Sequence, residues 1–225
     1  MDDFFYQLGR STGRGLRRGR WLLNSLAGPS SDAIAAEYKA GCDLARSHDA
    51  GVTFDEESTS AALVAQITKR LGARLRNKER RWRVMTIRDS EPGAFALPGG
   101  FLYLTSGLLE LCSADEAEIA WVVGHEMGHV VHGHAAARLA GELIGSARAY
   151  SRDQELEADE FGVKLANAAG FDAEAALRVC TRLERIEARS EQPLAEYFAT
   201  HPPLAMRAER LSAWLAVQRQ TESQH

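Results

Sequence analysis

The chain has 225 residues, of which 45% are hydrophobic and 26% charged, with a net charge of −4. That is length enough for one sizeable core, or one core and an appendage. No apolar run approaches the roughly 18 residues a membrane span needs, and no recognised module accompanies the basic stretches to suggest nucleic-acid binding.

Asp2 and Asp3 lead the chain, and the arginines follow an aromatic cluster, so no signal-peptide order is present. Cys42, Cys112 and Cys180 are widely spaced and form no metal-ligand pair; they read as incidental or buried thiols of a reducing compartment. A cytoplasmic protein is expected.

Residues 1–31 are expected to form a basic, aromatic arm, and residues 32–225 the folded domain. The arm sets Phe4, Phe5, Tyr6 and Leu8 beside Arg10, Arg14, Arg17, Arg18 and Arg20, with Gly9, Gly13, Gly15 and Gly19 weakening any continuous helix. Two uses stay open: a peripheral anchor on anionic lipid or a partner, or an arm docked on its own domain.

Gly28-Pro29-Ser30-Ser31 marks a linker, and Asp32 as a cap predicts a helix to about Ser47. A second helix is predicted from Glu56 to Asn77, with Ala62, Leu63, Ile67, Leu71 and Leu75 inward. Its end opens a stretch from Lys69 to Arg83 with eight basic residues against Glu79. That run reads as a solvated face, with a membrane surface or an acidic partner as the alternative.

Trp82 to Arg88 alternates as a strand, Pro92-Gly93 turns the chain into Ala94–Leu97, and Pro98-Gly99-Gly100 turns it again into Phe101–Thr105. A meander of three short strands is expected.

Ser113, with Glu116 three residues on, reads as a capping box for the helix that follows. About three turns into that helix stands His125-Glu126-Met127-Gly128-His129. On a helix, histidines four apart are separated by about 40° around the axis and about 6 Å along it, so both can reach one ion. Two neutral nitrogen ligands suit Zn²⁺, and Glu126 between them is placed as a general base.

Gly133 suggests that this helix ends there, and His132 and His134 read as surface or helix-end residues rather than ligands. A catalytic zinc needs a third protein ligand. Glu155 and Asp159, four apart on a second helix, supply a ligand and a carboxylate to orient a ligating histidine. Glu157 points elsewhere on that helix and reads as a surface charge. The helix should end near Gly170, Asp172 should cap another running to about Ser190, and Leu204 to Val217 should form a last amphipathic helix.

H-E-x-x-H followed by E-x-x-A-D resembles the gluzincin family of HtpX, the CAAX prenyl proteases, and the Oma-type and BepA/LoiP-type peptidases. Ala94 to Leu109 resembles the family's strand-and-turn segment, and Thr200-His201-Pro202-Pro203 with Arg207 its threonine-histidine-proline motif. The family commonly has asparagine where this chain has Gly93. Only 25 residues separate His129 from Glu155, as in the compact members.

The resemblance implies an α+β, zincin-like fold, mainly helical, with a small sheet beside the H-E-x-x-H helix. It implies one Zn²⁺ per chain on His125, His129 and Glu155, and an edge at Ala94, Phe95, Ala96 and Leu97 that binds extended peptide. His201 would either stabilise the oxyanion or swing onto the zinc and silence it, and Arg207 would brace that loop or pair with a carboxylate. The implied activity is endopeptidase cleavage of unfolded or damaged polypeptides. Two alternatives stand: a zinc-stabilised chaperone or adaptor closed by His201, and a zinc amidase acting on a non-protein amide.

Overall fold

The computed structural model describes residues 31–55, 58–143, 149–187, 201 and 204–222. Residues 1–30 of the expected arm, with Gly28-Pro29-Ser30 of its linker, Glu56, Ser190, Pro193, Thr200, Pro202 and Pro203 lie outside the described residues.

Helix α1 (Ser31–Asp49) begins one residue before Asp32, which therefore sits in the first turn and meets the positive helix end by charge rather than as its cap. Helix α2 (Thr59–Gly72) is capped by Ser58, whose hydroxyl accepts from Ala61 N. It stops five residues short of Asn77, where Lys78 Nζ takes the Ala73 carbonyl at 2.6 Å. Its buried residues are Val64, Ile67, Thr68 and Leu71, while Ala62 faces solvent.

Strands β1 (Arg83–Ile87), β2 (Ala94–Leu97) and β3 (Phe101–Thr105) form one sheet, but not a meander. The order is β1-β3-β2, with β3 parallel to β1 and antiparallel to β2. The chain leaves β1 and crosses the end of β3, where Ser106 Oγ and Gly107 N hold the Asp89 carbonyl at 2.7 and 2.8 Å. Thr105 Oγ1 then accepts from Gly93 N at 2.8 Å and donates to the Glu91 carbonyl at 2.7 Å. A threonine thus pins the start of β2, at the position where the resemblance leads one to expect asparagine.

The sheet divides two cores. Ala94, Ala96, Leu102 and Leu104 face the larger one, with Val64, Leu71, Trp121 and Met127. Phe95, Leu97, Phe101 and Tyr103 face the smaller one, with Leu44 of α1. Burial on both faces makes these strands continuously apolar rather than alternating.

After the short α3 (Ser106–Leu111) comes the central helix α4 (Glu116–Val131), whose residues from Glu118 to Val130 are all buried. Its cap is Asp115, accepting from Ala117 N and Glu118 N, and not Ser113. Ser113 and Ala114 have φ of 50° and 57°, a left-handed step that moves the extended cap position on to Asp115. Gly133 (φ 76°) ends the helix turn, and α5 (His134–Leu143), an element the sequence pattern does not announce, follows at once.

Then come α6 (Arg152–Ala168), α7 (Ala175–Glu187) and α8 (Leu204–Glu222). Glu118 near the start of α4 is buried and accepts from Arg178 Nε at 3.0 Å and from Arg182 Nη1 and Nη2, each at 2.6 Å, which fixes α7 against α4. No helix among the described residues is long and apolar enough to cross a membrane.

Helices α4 and α6 touch at backbone distance. A Cβ placed on Gly162 would lie 2.8 Å from His125 N, and one on Gly124 would lie 3.1 Å from Gly162 Cα. Gly162→Ala is therefore expected to push the helices apart and cost about 1–3 kcal/mol. A lower urea midpoint at unchanged slope would register it.

Candidate metal centre

His125 and His129 lie one turn apart on α4, and their Nε2 atoms are 3.0 Å from each other. Glu155, in the first turn of α6, faces both, its Oε1 3.3 Å from His129 Nε2 and its Oε2 3.7 Å from His125 Nε2. Ser151 starts α6 with a capping box to Gln154, which sets where that first turn falls. His201 Nδ1 meets Glu155 Oε1 at 2.8 Å. One donor atom from each of these four buried side chains lies within 4.8 Å of the others.

Imidazole nitrogens with a carboxylate are a donor set that fits Zn²⁺ or a similar divalent ion. Lone pairs buried this close to one another repel unless a cation or a proton stands between them. His125, His129 and Glu155 could hold a metal here, with His201 within reach as a fourth ligand.

The surrounding groups hold these four in place. His125 Nδ1 lies 2.9 Å from Asp159 Oδ1. Arg207 clamps Asp159 with Nε and Nη2 at 2.8 and 2.6 Å, and its Nη1 reaches Glu155 Oε2 at 2.9 Å. One guanidinium therefore braces both carboxylates. Burial disfavours charge on each, yet the His201 and Arg207 charges hold Glu155 well below the usual carboxylate range. Arg207 and the hydrogen bond to His125 likewise hold Asp159 below its ordinary value. Burial opposes protonation of His125 too, but its hydrogen bond to Asp159 and the nearby carboxylate charges lift its pKa above the ordinary value. His129 falls well below it, chiefly through burial.

Glu126 differs from its neighbours. It is completely buried, and neither carboxylate oxygen has a hydrogen-bond partner among the described residues. His201 Nε2 stands 3.6 Å from its Oε1. Burial lifts the Glu126 pKa above the ordinary carboxylate range.

Two participants have almost no signature in the sequence. The Tyr150 ring stacks on His129, centroids 3.7 Å apart and planes 12° from parallel. An aromatic beside the Ser151 cap is the only local signal for it. His134 Nδ1 lies 3.2 Å from His129 Nδ1, and His134 Nε2 lies 3.1 Å from Glu157 Oε2. Glu157 is a surface charge, its side chain 58% exposed, but one with a buried partner.

Ala94–Leu97 is an edge strand, with no described strand on its outer side, but all four residues are buried. Ala136 and Leu139 of α5 belong to the same apolar cluster as Phe95 and Leu97.

Glu155 and Asp159 release protons more readily in the folded chain than in the unfolded one. The stability they contribute is full above the ordinary carboxylate range and is lost as pH falls below it. Arg207→Ala, which leaves two buried carboxylates without their cation, should cost about 3–5 kcal/mol in the metal-free protein at neutral pH. Denaturant titrations at pH 7 and pH 4 should show that deficit shrinking in acid.

The model of peptidase family M48 matches residues 58–147 and 137–215. The mitochondrial metalloendopeptidase OMA1 of Schizosaccharomyces pombe is 30% identical over 68% of this chain and 52% of its own length. Metalloprotease LoiP of Escherichia coli is 26% identical over 70% of this chain and 74% of its own. A putative beta-barrel assembly-enhancing protease of Vibrio cholerae is 34% identical over 52% of this chain and 31% of its own. The chain spans about half or less of the OMA1 proteins it matches in fission yeast, Arabidopsis thaliana and Saccharomyces cerevisiae.

Proposed function

Because the chain belongs to peptidase family M48, we propose that it is a zinc endopeptidase that cleaves unfolded or damaged polypeptides. The observation that carries this reading is Glu126, a buried carboxylate without a hydrogen-bond partner among the described residues, beside four convergent donor atoms. His125, His129 and Glu155 would hold the metal, and Asp159 would orient His125 with Arg207 behind it. A zinc ion held there would supply a Lewis acid for the scissile carbonyl and would lower the pKa of water to about 7.

Glu126 takes the proton of the attacking water and delivers it to the leaving amine. Its raised pKa suits both halves of that transfer. His201 would donate a hydrogen bond to the oxyanion, a role supported by its Nε2 bordering the general base, 3.6 Å from Glu126 Oε1. Extended substrate would add along Ala94–Leu97, the strand with no described strand on its outer side. The names of relatives as metalloendopeptidase and metalloprotease support the reaction class. Free Cys42, Cys112 and Cys180 support a reducing, cytoplasmic setting.

A second reading has its own observation. His201 is fully buried and its Nδ1 rests 2.8 Å from Glu155, an arrangement suited to a closed site in a chaperone that holds chains without cutting them.

Casein cleavage and zinc content separate the two. Wild type is expected to cut, and Glu126→Gln to retain zinc while losing about 10²–10⁴-fold in rate. Zinc in both with cleavage in neither, and none gained by His201→Ala, would favour the chaperone.

A further inference from the structure

The two histidines of the H-E-x-x-H helix are held from behind in different ways. His125 has the buried Asp159, locked by Arg207. Among the described residues no carboxylate meets the Nδ1 of His129, which faces the Nδ1 of His134 at 3.2 Å. His134 opens α5 directly after the left-handed Gly133, and that turn swings its ring back beneath His129. The ring is buried, and its other nitrogen reaches Glu157, whose side chain is largely in solvent.

Tautomers order this chain. His129 Nε2 faces His125 and Glu155, so an ion held there takes the Nε2 lone pair and leaves the ring proton on Nδ1. Two imidazole nitrogens 3.2 Å apart can share only one proton, so His134 Nδ1 must accept. The His134 proton then sits on Nε2 and is donated to Glu157. Each nitrogen in the series has one assignment, and the carboxylate at the end favours it.

We propose that His134, backed by Glu157, is a positioning residue that holds His129 in the tautomer and orientation that bind the metal. The proposal rests on the metallopeptidase reading above and extends it to a residue outside the H-E-x-x-H and E-x-x-A-D motifs. His129 is thereby clamped on two sides, by His134 along its edge and by Tyr150 across its face. A side chain serving only to fill space under α4 could be apolar, whereas this one presents a nitrogen to each neighbour.

The test uses the full chain, with zinc affinity read by competition with a chromophoric chelator and thermal unfolding read on the metal-free protein. His134→Leu is expected to weaken zinc binding roughly 10–100-fold. His134→Gln, whose amide can accept from His129 and donate to Glu157, should recover most of that loss. Glu157→Ala, a change at an exposed side chain, should weaken zinc binding about several-fold while leaving the metal-free melting temperature as in wild type. Wild-type affinity in both Glu157→Ala and His134→Gln, with no advantage of Gln over Leu, would overturn the proposal. If His134→Leu does not fold, Glu157→Ala alone decides: unchanged affinity overturns it. A wild-type chain that takes up no zinc would overturn the metal reading itself, and this inference with it.

Discussion

The backbone contact of α4 with α6 at Gly124 and Gly162 is the constraint on which the rest depends. A side chain on either glycine would part the helices, and at this separation Glu155 comes within 3.3–3.7 Å of the two histidines. The same contact brings Asp159 to the far nitrogen of His125. Carboxylates on one helix meet histidines on the other because both are spaced four apart and both helices present those faces inward. The sheet, α2 and α7 bury α4 on its remaining sides, so the site is built on a helix buried continuously from Glu118 to Val130.

One helix carries two buried glutamates with opposite arrangements. Glu118 accepts from two arginines of α7 and is a braced structural charge. Glu126, two turns later and equally buried, accepts from none of the described residues. Leaving a buried carboxylate without partners costs on the order of 1–3 kcal/mol or more, since the group has given up water for nothing. A buried carboxylate without hydrogen bonds, beside convergent titratable groups, marks a candidate functional position. Around it the balance is kept by Arg207, which places one positive charge against two carboxylates.

Much of this is legible in the sequence, because H-E-x-x-H inside an apolar helical run has few uses besides binding a metal. Spacing puts His125 with His129, and Glu155 with Asp159, each pair on one face of its own helix, and zinc's need for a third ligand is what sets the two helices against each other. What spacing misses depends on the path of the chain between elements. The order β1-β3-β2 follows from contacts of Asp89, Glu91 and Gly93 with Thr105 and Ser106, which no alternation pattern encodes. Asp115 replaces Ser113 as the cap because two residues adopt the left-handed conformation. His134 is hidden because a continuous helix would turn it away from His129, and only the break at Gly133 brings it back.

Diffraction data collected at the zinc absorption edge from crystals of the full chain would test the central claim most directly. A single anomalous peak is expected among His125 Nε2, His129 Nε2 and the Glu155 carboxylate, at about 2.0–2.2 Å from each. A peak elsewhere, or zinc-replete crystals with none at that position, would contradict it.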